Sequence, residues 1–275
     1  MKLLAFLLLA AAPDTGLVGL VSSPLNDYNL SVDRSERVMV FGRSEAEFRN
    51  AKIYISERQG MRWGKPRPVD FSDKRYSDSD PWLTPDGRTL YFISDRPAPD
   101  RKEGRSDYDI WRSRWVNGIW SAPVRLGSAV NGPGQELGPE LHGNMLLFSS
   151  ARRSGIGGLD IYQARVNGDD FKQAELLQGP FNTAASESDF TVNVDGSAAM
   201  FWRSIGERAS IHISYRQGAG WSQPVPLPAN INAGPFNFTP SFSRSGKRVR
   251  YATTLERLGQ PSGFADIYEK ELPSR

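Results

Sequence analysis

The 275-residue chain has no cysteine, only two histidines, and a net charge of +3 from 34 Lys+Arg and 31 Asp+Glu. Each scarcity excludes chemistry. Without cysteine there are no disulfides, thiolate zinc sites, iron–sulfur clusters, catalytic thiols or lipid-modified N-terminal cysteine. Two histidines cannot supply a three-histidine metal site, and they leave little material for a Ser-His-Asp triad. A near-balanced charge does not call for a nucleic-acid partner. Long apolar runs are also missing, apart from the first residues. Met1-Lys2 precedes the ten-residue run Leu3 to Ala12. That is the length of a signal-peptide core and too short to span a bilayer. The other reading of this run is a buried N-terminal strand or helix. The expectation is a signal peptide over 1–14 and an exported mature chain, periplasmic or secreted. It would be neither lipid-anchored nor stably inserted in a membrane, and monomeric.

What is present is glycine, proline and aromatics: 26 Gly, 19 Pro, 14 Phe, 9 Tyr and 7 Trp. This composition suits many short strands joined by tight turns. The strands repeat. Phe41, Phe92, Phe148, Phe201 and Tyr251 form one column, at spacings of 51, 56, 53 and 50. Ile53, Ile110, Ile161, Ile211 and Ile267 form a second, and Trp63, Trp120, Phe171 and Trp221 a third. Three members of the third column begin Trp-x-x-Pro, ending at Pro66, Pro123 and Pro224. A period near 50 residues indicates a solenoid, a propeller or an array. In the second repeat, strand signals fall at Pro81–Thr84, Thr89–Ser94, Tyr108–Arg114 and Trp120–Leu126, separated by Asp86-Gly87, the charged segment 95–107 and Asn117-Gly118. Asx-Gly pairs are strong hairpin signals. No helical period follows the leader. Four antiparallel strands per repeat is the plan of a β-propeller blade, with the aromatic columns as inter-blade core. A β-sandwich would leave the fixed period unexplained.

The run from Asp78 through Pro81-Trp82-Leu83-Thr84-Pro85-Asp86-Gly87 to Ser94-Asp95-Arg96 resembles the WD-repeat-like propeller repeat of TolB. Gly155-Ile156-Gly157-Gly158-Leu159-Asp160-Ile161-Tyr162 and the stretch from Trp120 to Asn131 are similar to it as well. The copies cover the chain from about Leu17 onward, with the first, fourth and fifth eroded. The resemblance implies a periplasmic or outer-membrane-associated propeller acting mainly as a binding scaffold, without implying any one reaction. Repeats fall near 26–76, 77–131, 132–182, 183–232 and 233–275, in a single domain over 15–275. The fifth lacks the Trp-x-x-Pro strand, and the segment from Leu17 to Val21 has no other partner. The expected fold is therefore all-β, a five-bladed propeller closed by its two termini. Six blades, usual in TolB-type propellers, is the alternative.

The candidate site is the end of the ring where loops between second and third strands emerge. Just before each inner strand stand Asp27, Asp78, Glu136, Glu187 and Asn237. Two residues on stand Asn29, Asp80, Gly138, Asp189 and Thr239. These predict a largely acidic axial ring, with Arg96, Arg101, Lys102, Arg105, Arg152, Arg153 and Arg203 at the same face. The acids either brace turns and pair with these arginines, or bind a cation, a sugar or a partner's basic side chain. Trp82 and Trp202 lie outside the aromatic columns and either stack on a ligand or fill space between blades.

Catalytic motifs are missing. His142 sits in a turn and His212 replaces an aromatic, and no nucleophile elbow, phosphate loop or dinucleotide fingerprint occurs. If the chain is an enzyme, the candidates are Glu140, Asp80 and Asp189, acting as a glycoside hydrolase or lyase. Otherwise it is a non-catalytic scaffold for an envelope protein or glycan, using Asp27, Asp78, Asp80, Trp82, Arg96, Glu136, Glu140, Arg152, Glu187, Asp189 and Arg203, or a purely structural docking module. No cofactor is called for, and no motif supports an axial calcium ion.

Overall fold

The computed structural model describes residues 18, 20–98, 107–258 and 260–273. The expected leader over 1–14 lies outside them. The chain forms five antiparallel blades around one axis, with the second strand of each blade paired on both sides. The inner strands are Asn26–Val32, Asp78–Leu83, Glu136–His142, Ser186–Val192 and Asn237–Phe242. The second strands, Val38–Ser44, Thr89–Ser94, Met145–Ser150, Ala198–Ile205 and Arg248–Thr253, carry the Phe/Tyr column at their centres. Phe41, Phe92, Phe148 and Phe201 are completely buried.

Local chemistry explains the blade plan. At the tip of blade 2, Asn117 and Gly118 both take positive φ, the conformation of a tight two-residue hairpin turn. The outer strand is split into two short pieces, Ile119–Trp120 and Val124–Arg125. Pro123 falls between them and has no N–H to donate, so pairing resumes only after it. Each junction between blades buries one face of each. Between blades 1 and 2, Val40, Ile53 and Ile55 meet Leu83, Leu90, Phe92 and Trp120. Asn131, Asn182 and Asn232 form a polar column not anticipated from the sequence. Each amide accepts from the N–H of the column isoleucine (Ile110, Ile161 or Ile211) and donates back to its carbonyl.

Closure follows the expected route. In blades 1 to 4, the N–H of Val69, Leu126, Leu177 or Leu227 bonds the carbonyl of the column isoleucine. In blade 5 that place is taken by Val18, whose N–H reaches the Ile267 carbonyl at 2.9 Å. Val21 is buried beside Ile267, Leu30 and Phe41. The closing junction also carries charge. Where the other blades place Val40, Tyr91, Leu147 and Met200, blade 5 has Arg250, ion-paired to Glu269.

Val18→Pro deletes the closing hydrogen bond. We expect a loss of about 1–2 kcal/mol, or roughly 2–8 °C in Tm by calorimetry. An unchanged Tm would show that the N-terminal segment does not hold the ring shut.

Candidate functional site: the axial cavity

An inner strand has one edge hydrogen-bonded to its own blade and one edge facing the axis. Backbone groups on that free edge need partners. All five inner strands solve this alike, with a bulge that shifts register between Tyr28 and Ser31, Ser79 and Trp82, Leu137 and Glu140, Ser188 and Thr191, and Phe238 and Ser241. The residue at each bulge has left-handed backbone: Asn29, Asp80, Gly138, Asp189 and Thr239. Asp, Asn and Gly tolerate this conformation best. At Gly138 a side chain is also sterically barred, because a Cβ would stand 2.4 Å from Asp189 Oδ1.

The bulge separates the two polar columns, which an ordinary pleat would place on one face. The first column lies within the strands rather than before them, and it is buried. Each acid pairs with an arginine of its own blade: Asp27 with Arg43 at 2.6 Å, Asp78 with Arg96 at 2.7 Å, Glu136 with Arg152 at 3.0 Å and Glu187 with Arg203 at 2.7 Å. Asn237 accepts from the Thr253 hydroxyl instead. All four guanidiniums also donate to backbone carbonyls, of Val21, Phe71, Val130 and Phe181. These acids brace the ends of the blades and are not presented to solvent. Burial still pushes Asp27 up to about 6 and Glu136 up to about 7, despite their arginines.

The second column knits neighbouring blades across the axis. Asp80 Oδ2 accepts from the Gly138 N–H, Asp189 Oδ2 from the Thr239 N–H, and Thr239 Oγ1 from the Asn29 N–H. Trp202 donates its indole N–H to Asp189 at 2.5 Å, so this tryptophan is a buried strut. Burial raises both Asp80 and Asp189, and the nearby Asp80 carboxyl raises Asp189 further, because two adjacent carboxylates resist ionising together. A second layer repeats the device. The Ser31 hydroxyl accepts from Leu83 N–H, and Glu140 Oε1 accepts from the Val192 N–H and the Thr191 hydroxyl. Trp82 is half-buried and packed on Tyr91, and burial pushes the Glu140 carboxyl up to about 7.

The two ends of the axis differ. Toward the loop end, Tyr28, Phe48, Phe238, Phe236 and Trp202 form a continuous aromatic chain, with successive ring centroids 5.0–5.6 Å apart except Tyr28 to Phe238 at 6.1 Å. Toward the other end, a cavity of about 670 Å³ runs from the bulge ring to the turns joining first and second strands. Asn29, Asp80, Asp189 and Thr239 form its floor, Ser31, Trp82, Glu140, Thr191 and Ser241 its wall, and Arg34, His142 and Arg244 its mouth. The volume is that of a small-molecule site.

The structure therefore brings Asp80, Trp82, Glu140 and Asp189 together in the cavity. It sets Asp27, Asp78, Arg96, Glu136, Arg152, Glu187 and Arg203 apart, in buried pairs beyond the cavity floor. Arg153 is exposed at the loop end, and Arg101, Lys102 and Arg105 lie outside the described residues. The cavity opens at the end opposite the anticipated face, where paired charges and aromatic side chains lie instead. Sequence reasoning missed Arg34 and Arg244. Their position in the first-to-second-strand turns was the available signal. Among the described residues, no three His, Asp or Glu side chains converge as metal ligands, and no helix is long and apolar enough to cross a membrane.

No family model and no curated protein matches this sequence. Solved structures do match in fold. An α-L-arabinofuranosidase from Lactobacillus brevis superposes with a TM-score of 0.60 at 12% identity, over 92% of each chain. An endo-arabinase from Bacteroides thetaiotaomicron gives 0.60 at 15% identity, over 93% of this chain and 96% of its own. TolB from Acinetobacter baumannii gives 0.52 at 16% identity, over 92% of this chain; the present chain spans 56% of that TolB. At such identities the likeness is one of fold. The chain is a five-bladed β-propeller of an architecture shared by TolB proteins and glycoside hydrolases.

The raised acids set a pH dependence. Glu140 moves from its ordinary 4.5 to about 7 on folding. Unfolding therefore releases a proton between these values, and stability falls as pH rises through that window. Asp27 and Glu136 act in the same direction. Asp33 and Asp86, lowered on balance by hydrogen bonds to their turns, act oppositely below about pH 4. We expect Tm to be highest near pH 5 and several degrees lower at pH 8, with Glu140→Gln flattening the decline. A Tm that rises from pH 5 to pH 8 would contradict the burial assigned to these carboxyls.

Proposed function

We propose that the protein is an exported, non-catalytic binding propeller that takes a cell-envelope ligand, glycan in character, into the axial cavity. One observation carries this reading: a ligand-sized axial cavity whose carboxyls are already engaged in holding the ring together. Glu140, Asp80 and Asp189 each accept backbone N–H groups of the next blade. A general acid or nucleophile must instead address the substrate. The wall offers what a polyol needs, an indole side chain and several hydroxyl and carboxyl groups. Export is supported by the Met1-Lys2 and Leu3 to Ala12 pattern and by the resemblance of the repeats to TolB. Trp82→Ala should weaken binding in a calorimetric screen of envelope glycans about tenfold or more, while Arg153→Ala at the opposite end should leave it unchanged. The reverse pattern would return binding to the loop end and overturn the assignment.

Glycoside hydrolysis is the second reading. It is favoured by Glu140, a carboxyl raised to about 7 in a cavity of the fold that the arabinofuranosidase and endo-arabinase share. Incubation with plant and bacterial glycans should release no reducing sugar. Release that Glu140→Gln abolishes would replace the scaffold reading with this one.

A further inference from the structure

We infer that the ligand of the axial cavity carries an anionic group beside its polyol body, and so belongs to the acidic sugars, of which the hexuronates are the simplest class. This rests on the cavity reading above and adds the charge of the ligand.

The mouth supplies the argument. Arg34 and Arg244 belong to the first-to-second-strand turns of blades 1 and 5, which adjoin at the closing junction. Arg244 Nη1 donates to the Arg34 carbonyl at 3.2 Å, which ties the two turns together. Both side chains line the cavity, both residues are exposed, and among the described residues neither enters an ion pair. This contrasts with the far side of the floor, where Arg43, Arg96, Arg152 and Arg203 are all spent on acids. Two acids lie close to the pair. The Asp33 carboxylate is taken up by the N–H groups of Ser35, Arg37 and Val38. Glu269 is held by Arg248 and Arg250. Glu36 lines the mouth with Asp33, so two anions accompany the two cations there, and the two guanidiniums are its charged donors without an ion-pair partner among the described residues.

Distance decides whether the floor acids would repel such a ligand. The strands end three residues beyond Asn29 and Thr239, at Val32 and Phe242, roughly 10 Å along the axis, and Arg34 and Arg244 lie in the turns past them. A carboxylate held at the mouth therefore meets guanidiniums closely and the floor acids only remotely. The arginines thus stand at most about 10 Å beyond the layer of Ser31, Trp82, Glu140, Thr191 and Ser241. A sugar of one or two rings spans that interval. Its ring would lie against Trp82, its hydroxyls would meet the serine, threonine and Glu140 oxygens, and its carboxylate would take the paired donors of an arginine.

The test is calorimetry on the full chain with a hexuronate disaccharide and the neutral hexose disaccharide of the same linkage. At low salt the acidic sugar should bind at least tenfold more tightly, and the preference should shrink at 0.5 M salt. The double variant Arg34→Gln/Arg244→Gln should bind both sugars alike, at the wild-type affinity for the neutral one. Because both residues are exposed, the variant should keep the wild-type Tm, and Arg34→Lys/Arg244→Lys should retain part of the preference. Equal binding of the two sugars by the wild type, or a preference that survives the glutamine variant, overturns the inference and leaves the cavity reading standing. If neither sugar binds, both fall.

Discussion

The free edge of each inner strand is the constraint on which the rest of this propeller depends. Five strands converge on the axis, and their inward N–H and C=O groups have no sheet to pair with. The chain answers with side chains from neighbouring blades, in two layers. Asp80, Asp189 and Thr239 serve one layer, and Ser31 and Glu140 the other. Buried hydrogen-bonding groups without partners are costly, so these contacts hold the blades in register as effectively as the apolar junctions hold them together. The same placement strips the carboxyls of water and raises their affinity for protons. Titration near neutral pH is thus a by-product of holding the ring together, which is why a shifted carboxyl here is weak grounds for catalysis.

A second asymmetry follows from the bulge. Asp78 and Asp80 are two residues apart and would share a face in a regular strand. With Asp80 in left-handed backbone, Asp78 turns to Arg96 of its own blade and Asp80 reaches Gly138 of the next. One polar column reinforces the loop end, where Tyr28, Phe48 and Phe238 also gather. The other becomes the floor of a cavity at the opposite end. The open cavity and the structural reinforcement are thereby placed at different ends of the axis.

Much of the architecture was legible because repetition exposes it. The Phe/Tyr and Ile columns are buried where their period put them, and the count of outer strands led to the segment from Leu17 to Val21, in which the structure places the Val18 bond to Ile267. The acids were legible as a ring, but their roles were not. Nothing in the residue type distinguishes Glu187, locked to Arg203, from Glu140, exposed to a cavity. Arg34 and Arg244 stand in turns outside the aromatic and acidic columns, so the repeat did not mark them. Trp202 read as a possible ligand platform, yet its indole is tied to Asp189.

The scarcity of cysteine and histidine, the period near 50 residues and the alternation of apolar strands determined what kind of object this chain is: a ring of β-blades held by packing, without thiol chemistry. Those properties depend on composition and local spacing, which a sequence displays directly. Which end of the ring opens, which carboxyls are spent on arginines, and which cations are left over were decided only by the tertiary structure. These properties arise where residues from five distant repeats meet at one axis, and a single left-handed residue per strand turns one side chain inward and the next one away.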